Sequence, residues 1–128
     1  MIIDPPLRYV VLEHHWNGTH WDFLVEDGPA LRSWAIDAPI VPGVDLPARP
    51  LAPHRRVYLD YEGAIAGHRG FVRRWDEGTA RVEVWSDREV RLRVAGVQLV
   101  GVVGLRETPG DADADGPRAW RFRFGKLS

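Results

Sequence analysis

The chain has 128 residues, of which 45% are hydrophobic and 27% charged. That suffices for one globular domain with a proper core and excludes a polymerase core or a second substrate domain. Cysteine is absent, so disulfides, thiolate nucleophiles and sulfur-ligated zinc are ruled out, leaving His, Asp, Glu and water to hold any metal. The formal net charge of −1 is unevenly spread: residues 1–48 carry two Arg against seven acids, residues 49–106 eleven Arg against seven. A basic set made almost wholly of Arg suits phosphate oxygens, although composition bias produces the same count.

The opening Met1-Ile2-Ile3-Asp4-Pro5-Pro6 has neither a basic nor an apolar leader region, and no apolar run approaches the ~20 residues of a membrane helix. A cytoplasmic protein without a membrane partner is expected. Alternating apolar and polar residues predict strands at Tyr9–His14, His20–Glu26 and Leu31–Ile36, separated by Asn17-Gly18 and Asp27-Gly28-Pro29. Residues 37–55, with Pro39, Pro42, Pro47, Pro50 and Pro53, read as a long connection and a candidate wall of a site. Further strands are predicted at Val57–Tyr61, Phe71–Trp75, Ala80–Trp85, Glu89–Val94, Val97–Leu105 and Trp120–Phe124, with Asp76-Glu77-Gly78-Thr79 as a turn. Asp111-Ala112-Asp113-Ala114-Asp115-Gly116 opens like a calcium loop, but Phe122 stands at the twelfth place where Glu is required, so it reads as a solvated acidic loop. No helical period is sustained. The expected class is all-β, mainly antiparallel, a small closed or strongly curled barrel with few short helices, residues 1–128 forming one domain and a monomer.

Chemistry concentrates at His14-His15-Trp16-Asn17-Gly18-Thr19-His20-Trp21-Asp22-Phe23. In a strand, His20 and Asp22 share one face while Trp21, Phe23 and Val25 share the other, so the two polar side chains can converge on one cation. The preceding strand supplies a third ligand across the hairpin. A two-residue Asn17-Gly18 turn pairs His15 with His20; a three-residue Trp16-Asn17-Gly18 loop pairs His14 with His20 and Leu12 with Asp22. Spacing leaves both registers open.

A second cluster is His54-Arg55-Arg56-Val57-Tyr58-Leu59-Asp60-Tyr61-Glu62-Gly63. A His, a Tyr and neighbouring Arg residues have the groups to hold a phosphate and protonate a leaving oxygen, while the ordinary reading is a polar strand edge. The serines, Ser33, Ser86 and Ser128, lie outside any nucleophile elbow. The six Trp read as core, with a base-stacking surface as the alternative.

At these clusters the sequence resembles the 3′-phosphoesterase domain of bacterial DNA ligase D, which also occurs free-standing. That family carries a His, then His-Tyr-Asp-Phe-Arg six residues on, a Leu-Glu, a Gly turn and Lys-Ser-Trp-Ala-Val. Here the layout is His14, His20-Trp21-Asp22-Phe23-Leu24, Glu26-Asp27-Gly28 and Arg32-Ser33-Trp34-Ala35-Ile36. The family's second His, its Tyr and its Phe-Glu-Gly are matched by His54, Tyr58 and Tyr61-Glu62-Gly63, and its Val-x-x-Trp-Asp-x-Gly-Thr by Val72 to Thr79. Its closing Gly-punctuated Leu pattern looks like Val94 to Gly101, so the match runs from Tyr9 to Phe124.

The resemblance implies a small β-barrel with one divalent transition-metal ion, manganese being expected, on His14, His20 and Asp22. It also implies catalytic roles for His54 and Tyr58, with phosphate held by Arg49 and His54. The implied reaction removes 3′-phosphates or 3′-ribonucleotides from nucleic-acid ends in DNA repair, alongside separate ligase or polymerase proteins. The resemblance selects His14 over His15. Leu24 stands where the family has a phosphate-contacting Arg, which leaves a non-catalytic relative binding phosphate, nucleotide or a protein on the same barrel as the alternative.

Overall fold

β1 (Leu7–His15) is the strand on which the sheet closes, because it pairs antiparallel on both edges, with β2 (Thr19–Asp27) and with β6 (Phe71–Trp85). The remaining strands are β3 (Ala30–Ile36), β4 (Asp45–Arg55), β5 (Gly63–Ala64), β7 (Glu89–Gly96), β8 (Val100–Glu107) and β9 (Trp120–Lys126). Their order, β1-β2-β3-β4-β9-β8-β7-β6, makes a closed eight-stranded antiparallel barrel, with β5 added beside β6. This computed structural model describes residues 5–109 and 119–126. Met1–Asp4 and the acidic Asp111–Gly116 segment lie outside the described residues.

Strand alternation sends Tyr9, Val11, Phe23, Val25, Trp34, Ile36, Leu92, Val103, Leu105, Phe122 and Phe124 into the barrel, where they form one continuous core. Phe23 stacks on Tyr9 at 5.3 Å and packs against Phe122 at 6.1 Å; each such buried ring contributes roughly 1.5–3 kcal/mol by leaving water. Trp34 and Trp120 pack at 5.6 Å, and the Arg32 guanidinium lies 5.0 Å from the Trp34 ring and 5.1 Å from that of Trp85. No α-helix occurs among the described residues.

Nine strands are present among the described residues, but not the predicted nine. The Pro-rich connection contains β4, and its prolines explain how: Pro53 falls at an irregularity opposite Leu31 to Ser33, and Pro50 lies beyond the Asp45–Ala48 stretch that pairs with β9. A residue with no N–H is tolerated at an unpaired edge or a bulge. The predicted Val57–Tyr61 strand is instead a 3₁₀ turn, Arg56–Leu59, which aims Leu59 at the outer wall of the barrel at 2% exposure. Phe71–Trp75 and Ala80–Trp85 are one strand, and Asp76–Thr79 is no turn. Gly78 lies where a Cβ would meet the Ala95 carbonyl oxygen at 2.2 Å, so its glycine serves close strand approach.

A bulge in β6 sets the two faces. Val11 pairs with Asp76 but Leu12 with Arg74, so Trp75 is the extra residue. Val72 therefore faces out and Asp76 faces in although both positions are even. Inside, the Asp76 carboxylate accepts from Tyr9 Oη (2.7 Å) and the backbone N–H groups of Gln98 (2.8 Å) and Leu99 (3.1 Å). Burial and this bond push the Tyr9 hydroxyl pKa up. The same carboxylate holds residues 97–99 in a turn, so β8 begins at Val100 rather than Val97.

Outside the barrel lies a second apolar cluster. Val10, Leu12, Leu24, Leu31 and Val72 from the outer wall are covered by Leu59, with Tyr58, Tyr61 and Ile65 partly buried around it. The segment between β4 and β6 is thus a flap on the outer face of β1–β3, and the candidate site lies at its margin.

Candidate metal centre

β1 and β2 pair as His14↔His20, Leu12↔Asp22 and His15↔Thr19, so the three-residue loop is the one adopted. Asn17 (φ 53°) and Gly18 (φ 105°) take the left-handed backbone this loop needs. His14, His20 and Asp22 consequently project from the same outer face. Each offers a ligand atom, and all three atoms lie within 4.8 Å of one another. His20 Nδ1 donates to Asp22 Oδ1 at 2.6 Å, His14 Nδ1 is 3.6 Å from Asp22 Oδ2, and the imidazole centroids are 4.6 Å apart.

Orientation comes from a backbone group. His14 Nε2 donates to the Arg69 carbonyl at 2.9 Å, which leaves Nδ1 turned toward Asp22. Metal-binding imidazoles are commonly fixed this way, one nitrogen held by a carbonyl and the other free to ligate. The carbonyl is delivered by the Gly67–Gly70 turn, and Gly70 (φ 75°) is obligatory there, since a Cβ would lie 1.8 Å from the His15 carbonyl oxygen. Asp22 is 3% exposed. Burial alone would raise its pKa, but the His14 and His20 imidazoles beside it outweigh that and hold it below the ordinary carboxylate value. The Asp22 carboxylate raises His14, with partial burial and the Arg69 cation opposing. Two imidazoles and an ionised carboxylate on a half-buried wall are a donor set suited to a divalent transition metal.

His15 is placed elsewhere. Its Nε2 is 2.5 Å from Glu13 Oε1 and its ring stacks on Phe71 at 4.7 Å, with Glu13 also bound by Arg73 at 3.0 Å.

The second predicted cluster sits on the same outer wall, farther along it. His54 pairs with Leu31, which pairs with Glu26, four residues from Asp22 and therefore about 13 Å along the strand at ~3.3 Å per residue. His54 Nδ1 donates to the Ala52 carbonyl at 3.0 Å, leaving Nε2 available, and its ring meets Tyr58 edge-on at 5.5 Å. Among the described residues no hydrogen bond, ion pair or ring contact joins either to His14, His20 or Asp22. Arg49 is closer in register: it pairs with Ala35, and Ala35 with Asp22, with only a methyl group between them on that face. Its guanidinium is exposed and meets Asp37 at 3.1 Å. Leu24 is on the predicted face but 0% exposed, at the centre of the outer cluster rather than lining an open site.

Sequence reasoning missed the Arg69 carbonyl, since every residue has one; the paired glycines Gly67 and Gly70 were the available signal. It missed the flap because a short 3₁₀ turn has no periodicity to read.

A closed antiparallel barrel with a His-His-Asp group on its outer wall places the chain among β-barrels equipped to hold a metal ion. Residues 12–106 match the model of the DNA ligase D 3′-phosphoesterase domain, and the chain belongs to that family. It is 33% identical over 112 residues to the multifunctional non-homologous end joining protein LigD of Mycobacterium bovis, covering 80% of this chain and 15% of that protein. The LigD of Mycobacterium tuberculosis matches to the same extent. That of Pseudomonas aeruginosa is 39% identical over 79 residues, 56% of this chain and 9% of the relative. The chain thus spans well under a fifth of the length of these curated relatives.

Proposed function

We propose that this protein is a metal-dependent phosphoesterase that removes a 3′-phosphate or 3′-ribonucleotide from nucleic-acid ends in DNA end repair, with His14, His20 and Asp22 as ligands of one divalent ion, manganese by expectation. The observation that carries the reading is the His14–His20–Asp22 group with His14 oriented by the Arg69 carbonyl. When bound, a divalent ion supplies polarisation of a phosphoryl oxygen or a water of lowered pKa.

The protein's own residues supply the rest. Arg49, aligned with Asp22 across Ala35, swings from Asp37 to a phosphate oxygen, and Arg69 lies near enough to lower the His14 proton affinity. His54 has its Nδ1 committed to Ala52, so Nε2 is the atom that would protonate a leaving oxygen, with the Tyr58 hydroxyl beside it. Because that pair stands in another row of the wall, a strand must lie across the Leu24–Leu59 flap to engage both groups. Residues 1–128 act as one domain, a monomer in the cytoplasm working beside separate ligase or polymerase proteins.

Phosphate release from a 3′-phosphate primer with added manganese, abolished by chelator and reduced at least 100-fold by Asp22→Ala, is the expected result. Manganese binding without release would favour a non-catalytic relative that binds phosphate, nucleotide or a protein. The burial of Leu24, which leaves no cation at that position, is the observation on that side.

A further inference from the structure

Of the six tryptophans, Trp34 and Trp120 are core, and Trp21, Trp75 and Trp85 pack against it. Trp16 differs, being 44% exposed at the tip of the β1–β2 hairpin. One face of its indole lies along the His14 imidazole, with centroids 6.2 Å apart and planes at 22°, so the remaining surface borders the metal centre. The ring is held in place from below. Its backbone N–H donates to the Gly18 carbonyl at 2.9 Å, and the Gly67–Gly70 turn presses against its root, where a Cβ on Gly70 would meet Trp16 Cβ at 2.8 Å. Arg69, on that turn, binds Ala66 O through Nε (2.8 Å), and its Nη groups make no hydrogen bond among the described residues.

A large flat ring left in water beside the proposed metal centre and a guanidinium engaged through Nε but not Nη has the parts of a single-strand binding platform. Base stacking supplies affinity without sequence preference, and the cation accompanies the backbone. A peptide partner would use the ring but has no need of the metal centre and guanidinium beside it. We propose that Trp16 stacks on the terminal nucleobase of a nucleic-acid strand whose 3′-phosphate lies at His14, His20 and Asp22, with Arg69 facing the adjoining backbone phosphate. This rests on the phosphoesterase reading for where the 3′ end lies, and adds the residue that grips the base.

The test uses the full chain with manganese and two short fluorescein-labelled single strands ending in a hydrolysis-resistant 3′-methylenephosphonate. One has an ordinary terminal nucleoside and the other an abasic terminal sugar. Fluorescence anisotropy is expected to show the base-bearing end bound about 5- to 150-fold more tightly by the wild type, the range of one base–aromatic stack. Trp16→Ala should bind the two ends alike, and Trp16→Phe should keep most of the preference, both with unchanged circular dichroism and manganese stoichiometry. Equal wild-type affinity for the two ends, binding of neither, or a preference that survives in Trp16→Ala overturns the proposal. Phosphate release is scored separately on the 3′-phosphate primer. Its absence with the base preference intact removes the reaction but not the contact; its presence without any preference removes the contact alone.

Discussion

Two sides of the barrel wall obey the same alternation and end in opposite environments. On β7 and β9 the outward positions are Arg91, Arg93, Arg121 and Arg123, all exposed, with Glu83 and Asp45 as ion-pair partners. On β1 and β2 the outward positions are Val10, Leu12 and Leu24, fully buried, followed by His14, His20 and Asp22 at the margin. The difference is the flap: Leu59 and its neighbours cover one side, and no described segment covers the other. The His14–His20–Asp22 group lies where cover gives way to solvent, with Asp22 buried and both imidazoles partly exposed.

The comparison is broken most severely at Leu24. Leu24→Arg would force a guanidinium into the covered side, where the flanking carboxylates of Asp22 and Glu26 are already engaged by His20 and Arg56, and is expected to destabilise the fold by about 3–5 kcal/mol. A urea titration reads this as a fall in midpoint. A stable variant with tighter phosphate binding would show instead that the flap opens readily and that the family arginine can be restored. Leu59→Ala removes the cover itself and leaves a partial cavity, with an expected loss of about 2–3 kcal/mol in the same titration. A loss below about 1 kcal/mol would mean that the flap closes over the gap.

The pH response should centre on the covered side. His14 has a raised pKa, so its stabilising contribution is complete below its ordinary value of 6.5 and is lost as pH rises through the folded value. Asp22 has a lowered pKa, so its contribution is present above 3.8 and lost as pH falls through the folded value. The metal-free protein should therefore be most stable between these limits, as read by thermal melts across pH. Metal affinity should run the other way at the upper limit, rising as His14 loses its proton, because proton and metal compete for the imidazole. Calorimetric titration with manganese at several pH values checks this, and a pH-independent affinity would remove His14 from the ligand set. The smallest effect is expected on the open side, where Arg93→Ala should shift stability by less than about 0.5 kcal/mol, since its bridge to Glu83 is solvent-exposed. A larger change in melting would show that the charged face is a network rather than separate pairs.

Alternation alone determined much of this protein. The apolar set Tyr9, Val11, Phe23, Val25, Trp34 and Ile36 could point only inward, which made an antiparallel barrel legible, and the spacing of His20 and Asp22 placed both on one face before any partner strand was known. Period-2 patterning is local, so it survives without knowledge of the rest of the chain. What alternation could not decide were events that depend on a distant neighbour. His14 and His15 were equivalent until the hairpin took its three-residue loop. Asp76-Glu77-Gly78-Thr79 reads as a turn until Ala95 and residues 97–99 arrive to use its glycine and its carboxylate. Leu24 reads as a bare replacement of the family's arginine until Leu59, thirty-five positions along the chain, folds over it. Each of these is settled by a contact between segments far apart in sequence, and such contacts leave no local period to read.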